Sequence, residues 1–422
     1  MIISLIVVIF IFAFNPLSSL FLLAFSVPII NWLFYFKNLE IPLADLIAVL
    51  GLIAWFLALL YKLIFQKNVK VKLKFPLFFP FFLFLLANIL SLFNHPAPLT
   101  GFYYLSRWLI LLYAAYIFLP INLLKKEKHL RLIVWGLALS SLIVMMSGWL
   151  SLLTQDWQNS FFRLKSISWW GIYPFGENHN LIAEFLNAGA FLWLALKEWA
   201  SSTRKKRIYN SIFLITVAAV ILTFSRAAWI TLALQLSVYL LWHNRQHLKK
   251  QGGLILLTAV AAILIMLPIF WRMNVLQADN ISSTENRLLL LDIAYQAWQE
   301  KPILGQGTGR FTELVADNIR FSAKYGDPID SHGFLQKIAA ETGLIGLISW
   351  IFLLIIIAQQ AMIGLKKYSR QAPWLTPIWI AASGGIFFQI FNTSYYKGKV
   401  WLFIALALVA TELAKQKYGR KN

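Results

Sequence analysis

The chain has 422 residues, 59% of them hydrophobic and 16% aromatic, with no cysteine and a formal net charge of +21. That length would suit two or three soluble domains, but a mean hydropathy of +0.68 excludes them and marks a polytopic membrane protein. Without cysteine there are no disulfides, thiolate metal sites or cysteine nucleophile.

Apolar runs of about 17 to 25 residues recur along the chain, as a hydrocarbon layer of roughly 30 Å requires of a helix. They are too long and continuous for barrel strands, so the expected fold is an all-α polytopic membrane protein. Residues 1–36 carry no charge, too long a stretch for one straight span and barely enough for two, with Asn15-Pro16 as the expected break. They lack the basic start and small-residue cleavage pattern of a signal peptide. Eleven further spans are expected at roughly 43–65, 75–94, 100–120, 130–153, 179–198, 208–224, 227–242, 252–272, 343–363, 374–392 and 399–414. Counting one span and an interfacial piece in residues 1–36 gives about 12 transmembrane helices with both termini cytoplasmic. The organisation is then an N-terminal bundle of about ten spans (1–272), a long external loop (273–332) and C-terminal helices (333–422), integrated as one membrane domain.

The positive charge has a pattern. Clusters at Lys62–Lys74, Lys125–Arg131, Lys197–Arg207, Arg245–Lys250, Lys366–Arg370 and Lys415–Lys421 hold 24 of the 38 lysines and arginines, always in alternate connections. By the positive-inside rule they mark the cytoplasmic side, so the charge reports topology and argues against nucleic acid.

On the other side, the connection 155–178 is rich in tryptophan, contains Arg163, and ends in Gly-Glu-Asn-His-Asn, which places His179 and Asn180 at the lip of the next span. The link Leu222–Ala228 is very tight and holds Arg226 close to the bilayer, where a guanidinium costs about 2.5–3.5 kcal/mol on insertion scales. Such a residue usually has a partner, and an anion in a cavity is one. Arg107, seven residues into its span, raises the same question, with a snorkelling side chain as the plain alternative.

The long loop opens with a helix-start signal, Ser282 as N-cap and Glu285 closing a capping box. The helix that follows carries Leu290, Ala294, Ala297 and Trp298 on one stripe, expected to lie face-down on the membrane with Arg287 in its first turn near phosphate headgroups. Gly305-Gln306-Gly307-Thr308-Gly309 lacks the preceding strand and following lysine of a nucleotide loop and reads as a turn. No HExxH, DxD or comparable pattern supports a metal, so no cofactor is expected. His332 stands where the loop re-enters the membrane, after Asp327 and Asp330 and before Glu341. Histidine is the side chain most readily tuned to take a proton near neutral pH.

Two or three arginines and a histidine on one face suit a substrate that carries its own doubly charged leaving group, such as a lipid diphosphate. The segments PFGENHNLIAEFL, LTFSRAAW, RLLLLDIAYQAWQEKPILGQGTGRF and SHGFLQKIAAETGLIGLISW, in this order, resemble the superfamily of O-antigen ligases, O-antigen polymerases and protein O-oligosaccharyltransferases. The resemblance implies a twelve-span glycosyltransferase of the bacterial inner membrane with a periplasmic loop, independent of metal and nucleotide. It would move an undecaprenyl-diphosphate-linked glycan to a hydroxyl of a glycan or lipid acceptor. Carried onto this sequence, Arg226 and Arg287 would bind diphosphate and His332 would activate the acceptor. Arg107, Arg163, His179, Asn180 and Glu341 are further candidate substrate contacts. Gly333, where many relatives have Asn, and Leu291, where an aromatic is common, depart from the pattern at positions that bear on the acceptor. The superfamily also contains members described as inorganic-carbon transporters, which makes small-anion transport the rival reading.

Overall fold

The computed structural model describes residues 2–36, 39–66, 71–155, 163–243 and 279–419. About three quarters of the described residues are helical. The only named strands among the described residues form one antiparallel hairpin, β1 (Leu33–Phe36) and β2 (Leu39–Pro42), with Leu33 opposite Pro42. Helices suit an apolar surrounding because each satisfies its own backbone.

The helices are α1 (Ile2–Phe14), α2 (Pro16–Ser26), α3 (Leu43–Phe65), α4 (Phe78–Ser91), α5 (Pro98–Leu105) continuing through a π-helical stretch (Ser106–Phe118) into α6 (Leu119–Leu123), α7 (Glu127–Ser151), α8 (His179–Glu198), α9 (Thr203–Leu222) and α10 (Arg226–His243). After the undescribed 244–278 come α11 (Asp279–Glu300), α12 (Phe311–Ala316), α13 (Ile319–Tyr325), α14 (Phe334–Tyr368), α15 (Leu375–Phe388) and α16 (Gly398–Tyr418). Each expected span is therefore a helix near its expected place, except 252–272, which lies outside the described residues. The expected break at Asn15-Pro16 is a bend of 112° between α1 and α2.

Four described helices are long and apolar enough to cross a membrane, Leu43–Phe65, Pro98–Leu123, Glu127–Ser151 and Phe334–Tyr368, or five if the bent pair is one span. Several others are short, and some carry charge. The reason is visible in α8, whose residues from Ile182 to Leu196 are all buried against α7, α9 and α15. A helix sheathed by protein can hold polar side chains that a lipid-facing one cannot.

The two ends of the bundle differ. At one end Lys74 pairs with Glu412 at 2.6 Å, Lys417 pairs with Glu127 at 3.0 Å, and the Trp199 indole donates to Glu127 at 2.9 Å. The connections that hold Lys74, Lys125 and Lys417 thus meet on one face, around a cavity of about 750 Å³ lined by Phe75, Phe79, Lys125, Ile356 and Glu412.

At the other end the long loop is joined to the bundle through a break in α14. Gly343, with φ of 62° and ψ of −158°, interrupts that helix and frees its backbone groups. Residues 302–307 take them up: Leu344 and Ile345 donate to the carbonyls of Pro302 and Ile303, while Gln306 and Gly307 donate to those of Ala340 and Glu341. The approach is so close that a Cβ on Gly305 would overlap the Glu341 carbonyl. The glycine-rich turn is therefore a structural clasp. Thr308 extends it by bonding Ser91 and Asn88 of α4, at 2.8 and 2.9 Å.

Two expectations for the loop helix are corrected. α11 is already helical at Asp279, so Ser282 and Glu285 lie inside it, Arg287 is beyond its first turn, and Glu285 pairs with Lys324 of α13 instead of closing a capping box. Its apolar stripe does not lie on the membrane. Leu289, Leu290, Ile293, Ala294 and Ala297 pack against Phe311, Val315, Phe321 and Ala340. Burial under protein satisfies the same amphipathic pattern that a membrane surface would, and sequence periodicity cannot separate the two.

A β-carbon at Gly343 would meet the Ile303 carbonyl and would be forced to positive φ. Gly343→Ala is expected to lower stability by about 1–3 kcal/mol, the scale of a strained backbone position. A thermal unfolding series in detergent with Gly385→Ala as control, where the nearest atom to an added Cβ is an ordinary 3.5 Å away, checks this.

Candidate functional site

Arg226 is the first residue of α10. The turn before it is built by local capping: Phe224 takes positive φ of 54°, and the Ser225 hydroxyl accepts from the Ala228 amide at 3.3 Å. That hydroxyl also bonds the Asn180 side chain at 2.5 Å. The tight Ser-Arg link is thereby fastened to the start of α8, where Asn178 caps the helix by accepting from the Asn180 amide at 2.8 Å.

Arg163 arrives from the tryptophan-rich connection. Gln155 clamps its backbone, accepting from its amide at 3.3 Å and donating to its carbonyl at 2.6 Å, and the next residue donates to the Leu222 carbonyl at 2.9 Å. The connection is thus laid across the ends of α7 and α9. His179 sits within electrostatic range of both Arg163 and Arg287.

Arg287 on α11 is in turn within range of Arg226 and of His332. Three arginines and two histidines, from five segments up to 169 positions apart, are therefore gathered at the loop face. Like charges concentrated in this way raise each other's energy, and an anion placed among them relieves it. His332 is half-buried. Burial lowers its pKa from the ordinary histidine value, the Arg287 charge lowers it further, and Asp330 opposes both. The imidazole is consequently neutral near pH 7 and able to accept a proton.

Asp330 cannot fully serve as counter-ion for the arginines because its oxygens are occupied. Lys337 donates to them at 2.7 and 2.8 Å, Tyr396 at 2.8 Å and the Ser331 amide at 2.9 Å. The His332 turn is fixed on its other side as well, with the Thr393 hydroxyl donating to the Ser331 carbonyl at 2.7 Å and the Phe334 amide to the Gln389 carbonyl at 3.1 Å. Glu341, one turn beyond Lys337, is buried, lies 3.8 Å from that lysine and accepts from the Phe311 amide at 3.0 Å, which ties α12 to α14. Arg107 is placed elsewhere, 3.6 Å from Asp45 and stacked 4.4 Å over Trp108.

The sequence reading passed over a second polar layer beneath these residues. Glu184 in the buried α8 pairs with Lys399 at 2.5 Å and accepts from Gln389 at 2.8 Å and Asn392 at 3.1 Å. A carboxylate, a lysine or an amide within an apolar run is itself a signal, and Glu184, Lys337 and Lys399 all show it. Among the described residues no group of His, Asp or Glu is placed to hold a metal ion.

Breaking a buried pair on one side leaves an uncompensated charge and costs about 3–5 kcal/mol. Lys337→Met is expected to do so, since Lys337 is buried against Asp330 and Glu341. Lys337→Met with Asp330→Asn should recover part of the loss, measured as thermal midpoints in detergent.

Comparison with known proteins adds one finding. No curated protein matches the chain. Residues 211–351 match the family model described as O-antigen ligase, and the match begins in α9 and ends in α14, so it spans Arg226, Arg287, His332, the glycine clasp and the break at Gly343. Over the third of its length that holds these residues, this helical membrane chain is similar to the O-antigen ligases.

Proposed function

We propose that the protein is a membrane glycosyltransferase of the ligase or polymerase kind, which transfers a glycan from undecaprenyl diphosphate to an acceptor hydroxyl. The observation that carries the reading is that Arg287 lies within electrostatic range of Arg226, His179 and His332, with Arg163 in range of His179, and that Arg226, Arg287 and His332 fall in the stretch similar to O-antigen ligases. A diphosphate has the charge and the oxygens that arginine forks match. The reading includes about twelve spans in a bacterial inner membrane, both termini cytoplasmic, and the long loop in the periplasm.

In this mechanism the acceptor oxygen attacks the anomeric carbon of the lipid-linked sugar. The bond from that carbon to the diphosphate oxygen breaks, and the electron pair leaves with the diphosphate. Arg226 and Arg287 stabilise the charge that develops there, and neutral His332 takes the proton from the acceptor hydroxyl. Asn180 holds the turn that carries Arg226, and Arg163 adds positive field behind His179. Glu341 acts at a distance, by fastening the loop. Arg107, paired with Asp45, has no direct part.

Removing one preorganised charge of this kind lowers turnover by about 10²–10³-fold. Arg226→Ala and Arg287→Ala are each expected to do so, and His332→Ala to lower it by about 10²–10⁴-fold, while all three proteins remain inserted. In cells the variants should accumulate undecaprenyl-linked glycan and lose mature polymer on a gel. Unchanged glycan in His332→Ala cells would remove the histidine from the mechanism. The pH profile follows from the direction of the His332 shift. Because its pKa is lowered, the base form persists below pH 6.5, and the acid limb of activity should lie below the ordinary histidine range. A limb at or above 6.5 would contradict the assignment.

A further inference from the structure

The cavity of about 750 Å³ at the lysine-rich end is built by four segments: the stretch leading into α4, the end of α6, the second half of α14 and the end of α16. Its size falls within the roughly 300–1,000 Å³ of small-ligand pockets. The rim is fixed by polar contacts. Asn122, itself buried, accepts from the Lys74 amide at 3.0 Å and donates to the Lys74 carbonyl at 2.9 Å, while the Tyr113 hydroxyl donates to the Pro76 carbonyl at 2.9 Å. Leu77, at φ of 54°, takes a backbone conformation that a residue other than glycine keeps only when its surroundings hold it there.

The cavity has two kinds of wall. One is apolar, made by Phe75, Phe78, Phe79, Ile356 and Leu408. The three phenylalanines are also exposed, so this wall continues onto the outer surface of the bundle. The other wall carries Lys74, Lys125 and Glu412, with the amides of Gln360 and Gln416.

Two lysines thus line the cavity against one carboxylate. Glu412 is held by Lys74 at 2.6 Å and by the Gln416 amide at 3.1 Å, and the Lys415 charge acts on it as well. Lys125 is less well answered. Its ammonium donates to the Ile121 carbonyl of its own segment at 3.5 Å, the outer limit of a hydrogen bond, and among the described residues it forms no ion pair. Burial and then the Lys74 charge lower its pKa, and Glu412 opposes them. Of the other carboxylates on this side, Glu127 is held by Lys417 and the Trp199 indole, and Glu198, at the end of α8, acts on Tyr239 of α10. Neither lines the cavity.

We propose that this cavity binds one anionic glycerophospholipid from the leaflet on the lysine side, with its phosphodiester between Lys125 and Lys74 and its chains along the three phenylalanines. A phosphodiester carries the single negative charge that the wall lacks, and an ammonium beside it makes a charge-assisted hydrogen bond. A choline lipid brings its own cation and leaves the surplus in place. The Gln360 amide is available to the headgroup or ester oxygens. The lysine stems extend the apolar surface beneath their charged ends. The site lies at the opposite end of the bundle from the arginines and histidines, and the inference does not depend on glycosyl transfer.

The experiment uses the purified full-length protein in a neutral detergent, titrated at constant ionic strength with dioleoylphosphatidylglycerol, dioleoylphosphatidylcholine or glycerol 3-phosphate. Two readouts are taken: the thermal midpoint, and the rate at which an amine-reactive reagent labels Lys125, read by peptide mass spectrometry. Phosphatidylglycerol should raise the midpoint saturably and slow the labelling, and the other two should do neither. Lys125→Gln should weaken the phosphatidylglycerol response by about tenfold or more, the scale of one lost hydrogen bond to a charged group. Glu412→Gln, which removes the competing carboxylate, should keep or strengthen it. The double variant Lys366→Gln, Lys367→Gln, with lysines on the same side but outside the cavity, should leave it unchanged. If Lys125→Gln does not fold, labelling of the wild type decides. An equal response to phosphatidylcholine or to glycerol 3-phosphate would overturn the proposal, the first by making the site indifferent to charge and the second by making its ligand a soluble phosphate. A response unaltered in Lys125→Gln, or lost in the Lys366 and Lys367 double variant, would overturn it too.

Discussion

The exchange of backbone hydrogen bonds at Gly343 is the constraint on which the loop face depends. A helix entering an apolar layer cannot leave amides and carbonyls unpaired, yet α14 is interrupted there. The cost is met by residues 302–307, which lie along the opened turn and bond on both sides of it. The long loop is thereby seated on the bundle at one defined place. α11 is then clamped between α12, α13 and Ala340, and the position of Arg287 follows from that seating.

The same logic orders the polar residues by depth. Nearest the loop are the arginines and histidines. Beneath them Lys337, Asp330, Tyr396 and Glu341 form one buried set, and Glu184 with Lys399, Gln389 and Asn392 forms another. In these two layers each charge is largely answered by a partner in the protein, so they fix the turn that carries His332 rather than take up a ligand. The uppermost layer brings Arg163, Arg226 and Arg287 together, and these are the charges that the proposed diphosphate substrate would meet.

Much of this was legible in the chain. Helix positions followed from apolar run lengths, and Arg226 and His332 stood out at the edges of apolar segments, whereas Arg287, on an amphipathic helix of the long loop, was singled out by the resemblance. The glycines of 305–309 announced a turn, but what the turn grips, an opened helix forty residues later, depends on tertiary packing. Asp330 was noted beside His332, but its pairing with Lys337, seven residues on, was not, because it is closed by Tyr396 from a distant segment. The burial of the α11 stripe was misread for the opposite reason. An apolar stripe is equally satisfied by lipid or by Phe311 and Phe321, and only the fold decides between them.

The central claim is that the arginine and histidine cluster performs transfer from a lipid diphosphate. The most direct measurement is reconstitution of the purified protein in liposomes with a synthetic undecaprenyl-diphosphate glycan and a hydroxyl acceptor, without metal or nucleotide. Free undecaprenyl diphosphate and the glycosylated acceptor are then followed together. The account predicts that both appear in equal amounts, and that neither appears with Arg287→Ala. Absence of both with the wild-type protein, alongside protein-dependent bicarbonate flux in the same liposomes, would contradict it.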